Sequence, residues 1–308
     1  MTAKPRIQDV LWMAAGAAVL LACILVALHF QKNQNPAAQL DFKARRVDLV
    51  GRMQLDLASA SEAEKSAVLA VTDQDSQMFA EQARAASMKV EQDRRELEEL
   101  LATGGTQGEK DFLAQFTTTF GELQRIDKDL LALAVKNTNL KAYSLAFGPA
   151  ATALKEMDAA LARLTTEDAQ GLPFTATARI AAWRLLTLIP PHIAEENEKK
   201  EDEMEAFMTT EDAQVRKSLA GLAALPQFTN NPDLATATVS YTEFSKLKTQ
   251  ILALSRENTN VRSLSISLNE KRKAMLVCQG VLSALQQAIL AEPIAGVTYG
   301  TPVRPRRL

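Results

Sequence analysis

Reactive side chains are few in this 308-residue chain, which has two histidines, two cysteines and two tryptophans. His192 is followed at i+3 and i+4 by Glu195 and Glu196, a spacing that brings a carboxylate onto the imidazole's face of a helix. A metal site would need further ligands, such as a Glu-x-x-His pair on a facing helix, and no such pair occurs. His192 therefore reads as a solvated or hydrogen-bonded histidine, and no metal or cofactor is expected. His29, at the edge of an apolar run, reads as an interfacial residue. Ser, Thr and Asp are plentiful, but so few histidines assemble no nucleophile, base and orienting group. P-loop, GxGxxG and CxxCH signatures are missing, so the chain is expected not to be an enzyme.

Binding chemistry is better represented. Arg45, Arg46 and Arg52 are candidate ligand residues, because a guanidinium forks onto carboxylates. Arg45 and Arg52 stand seven residues apart and share a helical face; a surface or snorkelling role is the plainer alternative. Trp183 beside Arg184 can line an aromatic pocket, although burial in a core is the commoner fate of a tryptophan. The run EENEKKEDEME at 195–205 reads as a solvated helix face with Glu–Lys pairs at i,i+4. A net charge of −2 implies no bulk attraction to nucleic acid, which is not expected as a partner. With Cys23 inside an apolar run, neither a disulfide nor a cysteine metal motif is expected.

Residues 10–30, VLWMAAGAAVLLACILVALHF, carry no Asp, Glu, Lys or Arg. At about 1.5 Å per residue they span the roughly 30 Å hydrocarbon layer as one helix. A cleaved signal peptide would have a shorter apolar core and a small-x-small site, and His29-Phe30-Gln31-Lys32 offers none. Leu20-Leu21-Ala22-Cys23 matches a lipoprotein box only loosely. One uncleaved N-terminal transmembrane helix after a short tail (1–9) is the reading. Orientation stays open, since Lys4 and Arg6 before the span are balanced by Lys32, Lys43, Arg45 and Arg46 after it.

The remainder must hold these candidates on helices. Low Gly and 5% aromatics favour an all-α chain of two tandem, antiparallel, up-and-down four-helix bundles. The first, 37–166, has helices over about 39–70, 73–102, 109–136 and 139–165. Thr72 and Asp75 form a helix cap, Gly104-Gly105 end the second helix, and the third has a near-heptad seam from Phe116 to Leu133. A linker (167–174) leads to a second, divergent bundle (175–292). There Pro190-Pro191 predict a break, Thr209 and Asp212 a second cap, and Asn231-Pro232 another helix start. The uncharged run 274–291 reads as its last helix rather than a second membrane span, and 293–308 as a flexible tail.

Two segments bear on how these rods connect. LALAVKNTNLKAYS at 131–144 returns as LALSRENTNVRSLS at 252–265, an offset of 121 residues. Asn137 and Asn139, and likewise Asn258 and Asn260, are read as structural turns, since Asn tolerates the left-handed conformation and also caps helices. Each triplet is expected to reverse the chain between two rods. The rival is an unbroken helix with a buried, register-fixing Asn, running to Gly148-Pro149, where proline would otherwise kink the fourth helix.

A membrane helix, capped helices of about thirty residues and the segment ALAVKNTNLKAYSLAFGPA resemble the four-helix-bundle sensory domain of methyl-accepting chemotaxis receptors, the first array better than the second. The resemblance implies a periplasmic bundle on the inner membrane that dimerises, with itself or with a full-length receptor, and binds a small ligand or a partner protein. That family's second span, HAMP linker and cytoplasmic coiled coil are not found in these residues. The leading expectation is a sensory-type binding module. An envelope scaffold that oligomerises without a small ligand is the alternative, and a truncated receptor remnant a third.

Overall fold

The computed structural model describes residues 36–164 and 169–294; the expected span at 10–30, part of the linker and most of the tail lie outside them. The described residues form helices and no strand. In chain order they are α1 (Pro36–Leu69), α2 (Asp73–Gly104), α3 (Gln107–Ala134), α4 (Thr138–Leu145), α5 (Ala151–Leu164), α6 (Leu172–Ala194), α7 (Glu198–Ala223), α8 (Pro232–Glu257), α9 (Thr259–Ile266) and α10 (Arg272–Ala291). Single π-helical turns, Ala146–Ala150 and Ser267–Lys271, join α4 to α5 and α9 to α10, and a 3₁₀ turn, Pro226–Phe228, precedes α8.

Local chemistry sets most boundaries. Thr72 Oγ1 accepts from Asp75 N–H at 3.0 Å and donates to its carboxylate at 2.7 Å, opening α2 with its acidic first turn on the positive end of the helix dipole. Thr106 and Glu109 form a reciprocal capping box on α3. Asn197 caps α7 and Asn231 caps α8, each accepting from two backbone N–H groups. A Cβ on Gly105 would fall 2.5 Å from the Leu101 side chain and 2.9 Å from its Cα, so only glycine permits the chain to leave α2 there.

The chain divides into two compact units. The first takes 36–58, 86–121 and 276–294. Each helical segment carries a buried stripe at spacings of three, four or seven: Leu49, Met53 and Leu57; Val90, Leu97 and Leu101; Leu113, Phe116 and Phe120; Cys278, Leu282 and Leu285. The second unit takes 59–85 and 122–275 and contains two hydrophobic cores. A small one joins Ala67 and Val68 of α1, Ala80 and Ala83 of α2, and Leu130, Leu131 and Ala134 of α3, with Ile266 packed on it. A large one is built from α4–α5, α6, α7 and α8. Polar pairs between neighbours in the large core fix antiparallel directions: Arg184 meets Glu211 and His192 meets Glu205 across α6 and α7, while Tyr143 meets the Pro190 carbonyl and Asp158 meets Arg179 across α4–α5 and α6.

These cores correct the expected grouping. The rods at 139–165 and 109–136 do not lie in one bundle: α4–α5 joins the core of α6, α7 and α8, whereas α3 shares a core with α1 and α2. The last rod goes the other way. Lys271 reaches Glu64 of α1 and Asp127 of α3, and in the first unit Lys43 of α1 donates to the carbonyls of Leu290 and Glu292 at 2.7 and 2.6 Å. The fourth rods of the two arrays are exchanged.

The triplets are therefore crossings rather than reversals. Asn137 (φ 52°) and Asn258 (φ 49°) are left-handed and do close a helix, but the next helix starts one residue later and enters a different core. Asn137 makes no side-chain cap of its own helix. The exposed N–H groups are satisfied by the other triplet: Thr138 N–H donates to Thr259 Oγ1 (3.2 Å) and Thr259 N–H to Thr138 Oγ1 (3.1 Å). Asn139 and Asn260 exchange N–H···Oδ1 bonds of 3.1 Å in both directions. Asn139 Nδ2 also donates to Asn258 Oδ1 and Asn260 Nδ2 to Asn137 Oδ1.

Other boundaries also differ from expectation. Pro190-Pro191 lie inside α6 without ending it, and the break falls at 195–197. Thr209 and Asp212 lie in the middle of α7 rather than capping it; Thr209 donates to the carbonyl of Glu205 one turn back. Pro149 sits in the π turn, which takes up its missing N–H without interrupting the rod. By length and composition, the helical run Pro232–Ala291 contains a window apolar enough to cross a membrane. Within it Met275, Cys278, Leu282, Leu285 and Ile289 are buried and Gln279 and Gln287 exposed, the pattern of a bundle helix.

The reciprocal caps make a measurable claim. Thr138→Val or Thr259→Val leaves a buried backbone N–H unpaired and is expected to cost about 1–3 kcal/mol in urea unfolding. The double variant should cost less than the sum by about 0.5 kcal/mol or more, because the two hydroxyls also contact each other at 3.2 Å. Small, strictly additive losses would mean that the caps do not cooperate.

Candidate functional site

The three candidate arginines of α1 are already engaged by carboxylates of the first unit. Arg45 donates to Glu96 at 2.7 Å, which holds that carboxyl below its ordinary range through the hydrogen bond first and the charge second. Arg52 lies on the same face, as its spacing required, and meets Asp93 at 3.0 Å and Glu96 at 3.6 Å. Arg46 points elsewhere. It is 1% exposed, stacks on Phe42 at 4.5 Å, and pairs with buried Glu109 at 2.5 Å and with Glu292. A cavity of about 670 Å³ beside it is lined by Phe42, Lys43, Thr103 and Glu292. Lys43 spends its ammonium on the last carbonyls of α10 and Arg46 has a carboxylate on either side, so this cavity offers a ligand little unused charge.

The second unit holds a more open arrangement. A cleft of about 520 Å³ runs along α6, lined by Ala176, Arg179, Ile180, Trp183 and Arg184, with Asp158 of α5 opposite. The α6 residues recur at three and four and so form one stripe. The core position expected for Trp183 is not taken: its side chain is 36% exposed. The cause is polar. Asp158 accepts from Arg179 Nε (2.7 Å) and Nη2 (3.1 Å) and from Trp183 Nε1 (3.2 Å), which ties the indole to the surface carboxylate. The Arg179 fork holds Asp158 below the ordinary carboxylate range. Arg184 leans the other way, to Glu211 of α7 at 3.3 Å, and Glu211 Oε2 is buried without a partner. The sequence brought Trp183 and Arg184 forward; Arg179, four residues before Trp183, was legible from its spacing but not singled out, and Asp158 was missed because only the packing of α5 on α6 brings it beside Arg179 and Trp183.

His192 is buried, and its partners are not the two glutamates that follow it. Its helix ends at Ala194, so Glu195 and Glu196 leave its face. Nε2 instead meets Glu205 of α7 at 2.9 Å and Nδ1 meets Ser255 of α8 at 2.8 Å. Ser255 Oγ also lies 3.1 Å from the His192 carbonyl. The hydroxyl can thus donate to a neutral ring or turn to the carbonyl when Nδ1 carries a proton. Arg256 ties Glu205, Glu201 and Asp202 together, and burial raises the Glu201 carboxyl. The acidic run 195–205 is therefore partly an internal network rather than wholly a solvated face. Among the described residues no group of three or more His, Cys, Asp or Glu is disposed to hold a metal.

Two further charge clusters are structural. Lys271 lies 2.9 Å from Glu64 and 2.7 Å from Asp127, yet off the directions a hydrogen bond needs, so these buried groups lack well-aligned partners. Burial raises the Asp127 carboxyl despite the lysine. Asp212, expected as a cap, accepts instead from Arg216 (2.6 Å), Tyr241 (2.7 Å) and Lys248 (3.1 Å). Burial alone would raise its carboxyl, but those bonds outweigh burial and hold it at about 2.

A carboxyl held below its unfolded range stabilises the fold above pH ~4 and loses that contribution as pH falls toward ~2. Asp212→Asn is therefore expected to cost about 2 kcal/mol at neutral pH, with the gap to wild type narrowing between pH 4 and 2.5 in urea titrations. A gap that stays constant over that interval would remove Asp212 from the acid response.

Comparison of the chain with protein-family models, curated proteins and solved structures finds no match, so the functional reading rests on side-chain chemistry.

Proposed function

We propose that the chain is a membrane-anchored, extracytoplasmic binding module of the sensory type. A single N-terminal span at 10–30 holds it in the inner membrane with its bulk in the periplasm. It takes up a small ligand or a partner protein without catalysing a reaction on it, in the manner of the sensory domains of methyl-accepting chemotaxis receptors.

The observation that carries this reading is the α6 cleft. An indole normally withdraws into a core; Trp183 is kept at the surface by Asp158, between two guanidiniums that retain unused donors. The other charged clusters are occupied by their own counter-charges, which suits structural roles. The scaffold reading has one specific support, Leu264 and Leu268, which lie four residues apart and are 39% and 57% exposed; these suit self-association.

A thermal-shift screen of the full chain in lipid nanodiscs with amino acids, organic acids and aromatic compounds separates the two. The sensory reading expects at least one compound to raise the melting temperature in a dose-dependent way, by about 5 °C at a hundredfold excess over Kd. Silence across the panel, with association that follows protein concentration, would transfer the function to the scaffold.

A further inference from the structure

Resting on the binding reading above, we infer that the α6 cleft takes a planar organic anion, a carboxylate carried on an aromatic ring. Hydrogen-bonding capacity sets the sign of the ligand. Asp158 already accepts three N–H groups, and Glu211 is buried behind Arg184. Little acceptor capacity in the cleft is left for a cation: the Asp158 carboxylate is mostly taken up, and Thr187 offers only a neutral hydroxyl. The donors are not exhausted. Arg179 uses Nε and Nη2 and retains the two N–H bonds of Nη1; Arg184 uses Nη1 alone and retains Nε and Nη2. Thr187 donates to the carbonyl of Arg184 and so presents lone pairs, not a proton. The unspent capacity is guanidinium donors, which favour an acceptor with negative charge.

Shape sets the body. A volume of about 520 Å³ is more than acetate or formate fills and suits a ring with a short acid arm. Ala176 leaves space, Ile180 is 55% exposed, and the Trp183 edge is anchored by its N–H to Asp158, so the faces of the indole carry no polar duty. A flat ring can lie on that apolar stripe with its carboxylate turned toward Arg184 and Arg179. Neither internal ion pair need break, because the ligand adds a second acceptor to each arginine.

The test uses the full chain in nanodiscs with Trp12→Phe, which leaves Trp183 as the sole tryptophan. Benzoate is titrated while Trp183 emission is followed, with cyclohexanecarboxylate (charge without a ring face) and benzamide (ring without charge) as controls. Benzoate is expected to give a change that saturates below about 10 mM, with both controls weaker by about tenfold or more. Arg184→Lys keeps a cation beside Glu211 and should retain the melting temperature while weakening benzoate about tenfold. Trp183→Leu should abolish the benzoate-induced thermal shift. A response that never saturates, controls that match benzoate, or unaltered binding in Arg184→Lys would overturn the assignment. If another compound raises the melting temperature without touching Trp183 emission, and does so equally in Trp183→Leu, the cleft assignment falls while the sensory reading stands. If no compound binds at all, both fall.

Discussion

The second unit depends on one interaction, the mutual capping of two Asn-Thr-Asn triplets. Each triplet ends one helix on a left-handed asparagine and begins another whose first N–H groups have no intrahelical acceptor. The hydroxyl and amide oxygens that satisfy them come from the other triplet, at Thr138 and Thr259 and at Asn139 and Asn260. Neither crossing is complete alone, because a lone triplet would leave buried backbone donors unpaired, each at a cost of about 1–3 kcal/mol. Neighbouring ends are drawn into the same knot: Asn139 Nδ2 donates to the Ile193 carbonyl, Asn258 Nδ2 to that of Glu195, and Asn137 Nδ2 to Asp73. The end of α6 and the start of α2 are thereby tied to the crossing.

The polar groups around this knot follow the same logic. Ser76 donates to the carbonyls of Ala67 and Ala134, taking up acceptors at the ends of α1 and α3. Ser255 and His192 do comparable work where α6 closes against α8. Such contacts add little net stability when satisfied and cost much when left open. They select an arrangement rather than strengthen it, in keeping with cores that are rich in alanine, a side chain too small to fix one packing by itself.

Much of the helical content was legible in the sequence, and the connectivity was not. Thr72-x-x-Asp75, Gly104-Gly105 and Asn231-Pro232 each act within one turn of their own position, and each marks the boundary it announced. Thr209 and Asp212 carry the same letters in a helix interior, because α7 already had its cap at Asn197 and Asp212 had Tyr241 and Lys248 to meet. The triplets were correctly taken as helix ends and wrongly as reversals. A reversal and a crossing need the same left-handed asparagine, and what separates them is a partner 121 residues away. Trp183 and Arg184 stood out by type, but exposure of the indole depends on Asp158, whose proximity arises only from tertiary packing.

Why the fourth rods exchange can be argued from the repeat itself. The two π turns, Ala146–Ala150 and Ser267–Lys271, lie at the same 121-residue offset as the triplets, although only the first contains a proline. The bulge therefore belongs to the position in the fold, and Ala150 and Lys271 are equivalent. On the facing rods Asp127 and Lys248 are equivalent in the same register. In the exchanged arrangement Lys271 lies between Asp127 and Glu64, and Lys248 pairs with Asp212, which also accepts from Arg216 and Tyr241. Returning each rod to its own array would put Ala150 against Asp127 and Glu64, leaving two buried carboxylates with no cation. It would also bring Lys271 toward Lys248. Removing one partner of a buried ion pair costs about 3–5 kcal/mol, and a like-charge approach adds to that. The unexchanged pairing is penalised on both sides of the repeat. A buried charge set that contributes little to stability thus does its work by excluding the simpler topology that the sequence pattern alone suggests.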